Sequence, residues 1–192
     1  MPYKLFTLTV FLILLIVLPL FSIADKSRND NVSIKELTAT TSETHLLLFG
    51  TLGDGITEEM VEVLHSGIPL KFTFHVELLK TDGQRPNEKI IDYSFEHRMV
   101  FDTLKESYQV TLEENNNRIQ SFSSFVEAQN VMNEINGAEV VALSQLVPDN
   151  VYKLTVKAKL FEKTLPLSLQ AVLPFLSWGN IETSANTIEF KY

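Results

Sequence analysis

The chain has 192 residues, with 24 Asp and Glu against 16 Lys and Arg, a formal net charge of -8 and no cysteine. These values fit one domain with room for a sizeable core; they exclude disulfides, thiolate catalysis, thiolate metal sites and a lipid-modified cysteine, and they disfavour phosphate-rich partners, so no nucleic acid is expected. An oxidising compartment stays allowed, because a domain of this size needs no covalent staples.

Met1 to Lys4 bears one positive charge, Leu5 to Phe21 is a nearly unbroken apolar run, and Ser22, Ile23 and Ala24 put small residues where a signal peptidase reads. Residues 1–24 therefore read as a signal peptide or an N-terminal membrane anchor. The run is longer than the ~7 to 15 residues of a signal core and shorter than the ~20 of a comfortable span. Pro19 favours cleavage, since it ends the apolar helix before the small-residue site. Either way the body is expected outside the cytoplasm, with membrane proximity through this segment. Residues 25–31, DKSRNDN, form a polar spacer, and residues 32–192 a single β-rich exported domain.

Val32 to Thr41 is rich in β-branched residues, and His45 to Leu52 contains LLLF, a run suited to a strand buried on both faces. The GDG loop leads to a helix capped by Thr57, with Ile56 and Val61 at staple positions, Met60, Val63 and Leu64 as its apolar stripe, and Gly67 as its stop. From Leu70 the pattern has period two: Leu70, Phe72, Phe74, Val76 and Leu78 inward, with Lys71, Thr73, His75 and Glu77 outward. After the DGQRPNE turn, Ile91, Tyr93, Phe95, Met99 and Phe101 share a face with His97. Leu104 to Leu112 continues as a strand with Tyr108, Val110 and Leu112 inward, and ENNNR reads as a hairpin turn.

Ser124 and Glu127 have capping-box spacing for a second helix, whose core face is Phe125, Ala128, Met132 and Ile135 before Gly137. Glu139 to Val147 and Val151 to Phe161 are further strands, and the latter turns Tyr152, Leu154, Val156, Ala158 and Leu160 inward. A short apolar helix is expected between Pro166 and Pro174, then a last strand with Ile188, Phe190 and Tyr192 alternating. One-sided strands with few helices predict a mainly β fold, an antiparallel β-sandwich or strongly curled sheet with two or three helices.

Four histidines, His45, His65, His75 and His97, show no HExxH or other compact metal-ligand spacing. His97 stands out on an apolar face with Asp102 and Tyr108 near in sequence; a polar core site is the preferred reading, and a hydrolase using His97 the alternative. No GxSxG elbow or phosphate loop is present, and Ser66 reads as a helix end. The acidic pairs Glu58 with Glu59 and Glu113 with Glu114 fit a helix N-terminus and a turn edge. No enzymatic activity, metal or cofactor is therefore expected.

Two features suit contact with a partner. Lys153, Lys157 and Lys159 fall on one face of a strand, at ~6 to 7 Å between alternate positions, as a membrane surface or acidic partner would require, although a solvated face or a lysine-protected edge explains them equally. Leu165 to Trp178 is apolar, and Leu169, Phe175 and Trp178 would dock a protein or lipid if exposed and build core if buried.

The segments GITEEMVEVLHSGIPLKFTFHVELLK, HRMVFDTLKESYQV, SFVEAQNVMNEINGAEV, YKLTVKAKLFEKTLP and FLSWGNIETSANTIEF, in that order, resemble the bacterial domain-of-unknown-function family numbered 4390, over about Ile34 to Tyr192. The resemblance implies an exported, envelope-associated protein of Gram-negative bacteria, periplasmic or anchored to the inner membrane and facing the periplasm, in some cases encoded near sensor kinases. It implies no activity and no catalytic residue. The expected function is a non-catalytic interaction domain with a protein partner in the envelope, linked to a membrane sensor or another envelope process; the alternative is a carrier of a lipid or other apolar ligand.

Overall fold

A computed structural model describes residues 32–53, 55–81, 88–160 and 181–192. These lie in one compact unit, residues 31–192. Strands β1 (Ser33–Thr41) and β2 (His45–Gly53) form a hairpin, and helix α1 (Glu58–His65) leads to β3 (Leu70–Thr81), β4 (Glu88–Asp102), β5 (Ser107–Leu112) and β6 (Arg118–Phe122). Helix α2 (Phe125–Asn133) runs directly into β7 (Glu134–Ala142), followed by β8 (Val151–Leu160), β9 (Ile181–Glu182) and β10 (Asn186–Lys191).

Two antiparallel sheets result. The smaller has the order β1-β2-β7, and the larger β10-β8-β3-β4-β5-β6, with β9 pairing β8 beyond the end of β10. This is the sandwich-like, mainly β architecture that the alternation predicts. Its core is the union of the inward faces: Phe72, Phe74 and Leu78 of β3, Met99 of β4, Val110 of β5, and Tyr152, Leu154 and Val156 of β8 are essentially inaccessible to solvent, together with Leu48, Leu52 and Ile135 from the smaller sheet. Each such side chain removes roughly 1.5–3 kcal/mol worth of apolar surface from water, which makes this layer the principal stabilising element. Among the described residues the sheets are tied by two side-chain hydrogen bonds: the Tyr93 hydroxyl donates to the Glu139 carbonyl at 3.0 Å, and the Asn186 side-chain amide donates to the Ile34 carbonyl.

Helix α1 follows its sequence signals. Thr57 accepts from the Met60 N–H, Met60, Val63 and Leu64 are buried, and Gly67 adopts φ +85° just past the end, a conformation that costs glycine little. Helix α2 departs from them. Its first turn is closed by the Ser124 carbonyl, which accepts from Ala128 N–H at 3.2 Å, and the Ser124 hydroxyl makes no capping bond. The helix also stops at Asn133, earlier than Gly137, because Glu134 is already extended at φ -94° and ψ 123°. Gly137 instead supplies a β-bulge: Leu48 pairs Ala138 and Phe49 pairs Asn136, so Gly137, at φ +79°, is the extra residue. Strand β7 thus begins five residues before the expected Glu139 and ends at Ala142, where Leu143–Gln145 forms a 3-10 turn.

Two smaller differences have the same kind of cause. In β2, Leu46 and Leu48 are buried while Leu47 and Phe49 are only half-buried, so the LLLF run obeys period two instead of being buried on both faces. Strand β5 starts at Ser107, and Leu104 sits 95% exposed in the preceding turn, where Glu106 at φ 49° reverses the chain. The helix expected between Pro166 and Pro174 lies outside the described residues, as do residues 1–31.

Candidate functional site

The site is built by parity. Strand β5 ends inward with Leu112, which stands directly opposite His97 of β4. The chain then enters a 3-10 turn, Glu113–Asn115, and the two acids diverge. Glu113 accepts the Glu96 backbone N–H at 2.8 Å, continuing the ladder past the end of β5, whereas Glu114, of the same parity as Leu112, enters the core. Its Oε1 lies 2.8 Å from His97 Nε2, and the two side chains are 5% and 0% exposed.

The other ring nitrogen, His97 Nδ1, lies 2.8 Å from the Met132 carbonyl at the end of α2. A carbonyl only accepts, so Nδ1 carries hydrogen and donates; on the other side imidazole and carboxyl share the bond through one proton. Rings of Phe74 and Phe95 flank the imidazole at 4.6 and 5.7 Å between centroids. The pair therefore bridges three elements inside an apolar shell: β4, the β5–β6 turn and the α2–β7 junction. Glu114 Oε2 is buried with no hydrogen-bond partner among the described residues. Nearby, burial raises the Tyr93 phenol to about 12, with the Glu114 and Glu139 carboxylates adding to the shift.

The other residues singled out in the sequence are dispersed. Tyr108 bonds His65 Nε2 at 2.7 Å, not His97, and packs against Phe101 and Phe125. Asp102 caps the β4–β5 turn by accepting the Leu104 and Lys105 N–H groups at 3.0 and 3.1 Å; the bond from Lys105 is the main reason its carboxyl sits below the usual range. Lys153, Lys157 and Lys159 do share the outward face of β8. This strand is flanked by β3 on one side and β10 and β9 on the other, so edge protection does not account for them. Lys159 pairs with Glu182 at 3.5 Å and Lys153 stands opposite Glu189. Leu169, Phe175 and Trp178 lie outside the described residues.

On the same outward face, His75 Nδ1 meets Ser94 Oγ at 3.0 Å and Nε2 meets Asp92 Oδ1 at 3.1 Å. Serine, histidine and aspartate in a row are hydrolase residue types, but here the serine faces Nδ1 and the carboxylate Nε2, the reverse of the catalytic triad. The Asp92 charge is moreover held by Lys89 at 2.5 Å, whose hydrogen bond is the main cause lowering the Asp92 carboxyl and in turn raises Lys89. The grouping is cross-strand pairing on a half-exposed sheet face.

A groove of about 640 Å³ opens between the β5–β6 hairpin and the α2–β7 junction, beside the turn that carries Glu114. Leu112 and Val131 are its apolar members; Asn116, Gln120 and Asn136 offer side-chain amides, and Arg118 and Glu134 opposite charges. Neither the groove nor Glu114 follows from motif patterns. The available signal for Glu114 was parity: extending the Val110 and Leu112 alternation by one step turns it inward.

Among the described residues, no group of three or more His, Cys, Asp or Glu is placed to hold a metal ion, and no helix is long and apolar enough to cross a membrane. No curated protein and no solved structure matches the sequence. The family model of a domain of unknown function, DUF4390, aligns with residues 29–189, in agreement with the order of the sequence segments, and the chain belongs to that family.

Proposed function

We propose that this is an exported, non-catalytic contact domain of the Gram-negative envelope, periplasmic or held at the inner membrane, that binds a protein partner in the service of a membrane sensor or another envelope process. The observation that carries the reading is the polar groove beneath the β5–β6 hairpin, open to solvent and lined largely by amides and one charge of each sign. Such a lining pairs with polypeptide and leaves little apolar area for a lipid. The filled sheet interior, with Tyr152, Phe72 and Phe74 fully buried, likewise favours a solid core over a ligand chamber in the described part.

His97 and Glu114 support the same view from inside. Both are sealed by neighbouring side chains, and His97 is held at one nitrogen by Glu114 and at the other by the Met132 carbonyl, which suits a structural brace better than proton transfer to a substrate. The test is affinity isolation of the full chain from cross-linked envelopes, with fractionation of the same cells. One specific membrane or periplasmic protein co-purifying with an exported chain supports the reading; a cytosolic chain, or an exported one recovered alone, overturns it.

A further inference from the structure

Among the described residues, leaving aside the two-residue β9 beside β10, the two sheets end at four strands, and three of those edges are obstructed. In β1 the register shifts between Lys35 and Thr38, with Glu36 at φ 55°, which breaks the edge ladder. Strand β7 carries the Gly137 bulge, and its Glu139 carbonyl is taken by Tyr93. Strand β10 lies against β1, to which Asn186 bonds. The fourth, β6, is different. Its five residues, RIQSF, pair with β5 in unbroken register and contain neither proline nor lysine, and Ile119 is 62% exposed. Among the described residues no strand pairs with its far side.

This edge adjoins the groove. Arg118 and Gln120 stand opposite Leu112 and Val110, so they share the inward face of β6 and form one wall, with Glu134 and Asn136 across from them. We propose that β6 is a docking edge for an extended segment of a partner polypeptide, which adds as a strand while its inward side chains enter the groove. The proposal rests on the contact-domain reading and names its site and partner class. Strand addition supplies affinity through main-chain hydrogen bonds and selectivity through alternate side chains. Amides of Asn116, Gln120 and Asn136 both donate and accept, as peptide groups do.

A second copy fits poorly. A five-residue strand spans only about 17 Å, so two folded bodies meeting along it fall short of the ~800 Å² per partner of a stable interface. They would also leave the groove unfilled, whereas a flexible segment reaches both edge and groove. With 24 acidic against 16 basic residues in the chain, the segment is neutral or basic overall, with an acidic side chain favoured only opposite Arg118.

The probe is a phage-displayed library of linear 12-residue peptides, selected on the full chain in detergent micelles, followed by amide hydrogen exchange with and without the best synthetic peptide. Strand addition predicts that alternate amides within residues 118–122 exchange at least ~10-fold more slowly when peptide is bound. Gln120→Trp, which fills the groove, should weaken binding by ~10-fold or more, and Lys157→Ala on the far face should leave it unchanged. Selection of no peptide, peptides that leave β6 exchange unaltered, or protection of β6 by raising protein concentration alone would each overturn the proposal; the exchange reading uses the unaltered chain and does not depend on a variant folding. Loss of this proposal alongside an envelope partner cross-linked elsewhere leaves the contact-domain reading standing, while absence of any partner removes both.

Discussion

Glu114 reaches His97 from a turn rather than from a strand, and the 2.8 Å bond between them ties the β5–β6 turn to the neighbouring strand β4 of the same sheet. Because His97 Nδ1 also holds the Met132 carbonyl, one imidazole fastens both walls of the groove to β4. The brace positions the surface that the domain is proposed to use.

Removing half of that brace is therefore expensive. Glu114→Ala strands a fully buried imidazole nitrogen and should cost about 1–3 kcal/mol, the range for leaving a buried polar group without its partner. Glu114→Gln keeps at the same place an amide that can donate or accept, and should cost less, about 0.5–1.5 kcal/mol. The double substitution His97→Leu with Glu114→Leu should cost less than the sum of the single changes, since neither group is left unpaired. Urea unfolding midpoints, compared at equal slope, measure all three.

Tyr93 makes stability sensitive to alkali. Its phenol ionises near 10.0 when unfolded and about 12 when folded, chiefly through burial. Below pH 10 both states keep the proton and the contribution is whole; as pH rises from 10 through about 12 the unfolded chain loses the proton first, and stability declines. Lys89, also raised, chiefly by its hydrogen bond to Asp92, acts in the same direction. Tyr93→Phe should flatten the decline without abolishing it, which denaturation midpoints between pH 9 and 12 would show.

Asp102 works at the other end of the scale. Its folded carboxyl lies below 3.8, held there first by the Lys105 N–H, so its contribution is present above 3.8 and is lost as pH falls through the folded value. Acidification should release the β4–β5 turn, visible as amide shifts of Leu104 and Lys105 that titrate with the Asp102 carboxyl. In Asp102→Asn those amides should stop responding to acid.

Gly137→Ala tests the bulge. A side chain at φ +79° costs about 1–2 kcal/mol in backbone strain, and the nearest atom to the new Cβ, on the Phe49 ring at 3.6 Å, is at ordinary contact distance. The loss should therefore be backbone strain alone, with β2–β7 pairing retained in amide exchange.

Alternation made most of the larger sheet readable in advance. The inward sets of β3, β4, β5 and β8 are those expected, because each strand buries one face and period two then admits a single solution. The α2–β7 junction was harder: Phe125, Ala128, Met132 and Ile135 fit helical spacing throughout, yet Ile135 is buried from a strand, and Gly137 serves a bulge that only pairing with β2 reveals. The partners of His97 were invisible for a related reason. Asp102 and Tyr108 are near in sequence, but Tyr108 pairs across from Phe101 and bonds His65, while Glu114 is brought in by hairpin register. The groove depends on how two sheets meet, which no local pattern encodes.

The most direct measurement places a photo-crosslinking amino acid at Gln120, Asn136, Lys157 or Thr187 of the full chain in living Gram-negative cells and analyses the envelope adducts. The account predicts one defined protein adduct from Gln120 and Asn136, lining the groove, and none from Lys157 and Thr187 on the outward sheet face. Equal labelling at all four positions, adducts only from the outward face, or a chain recovered from the cytosol would contradict it.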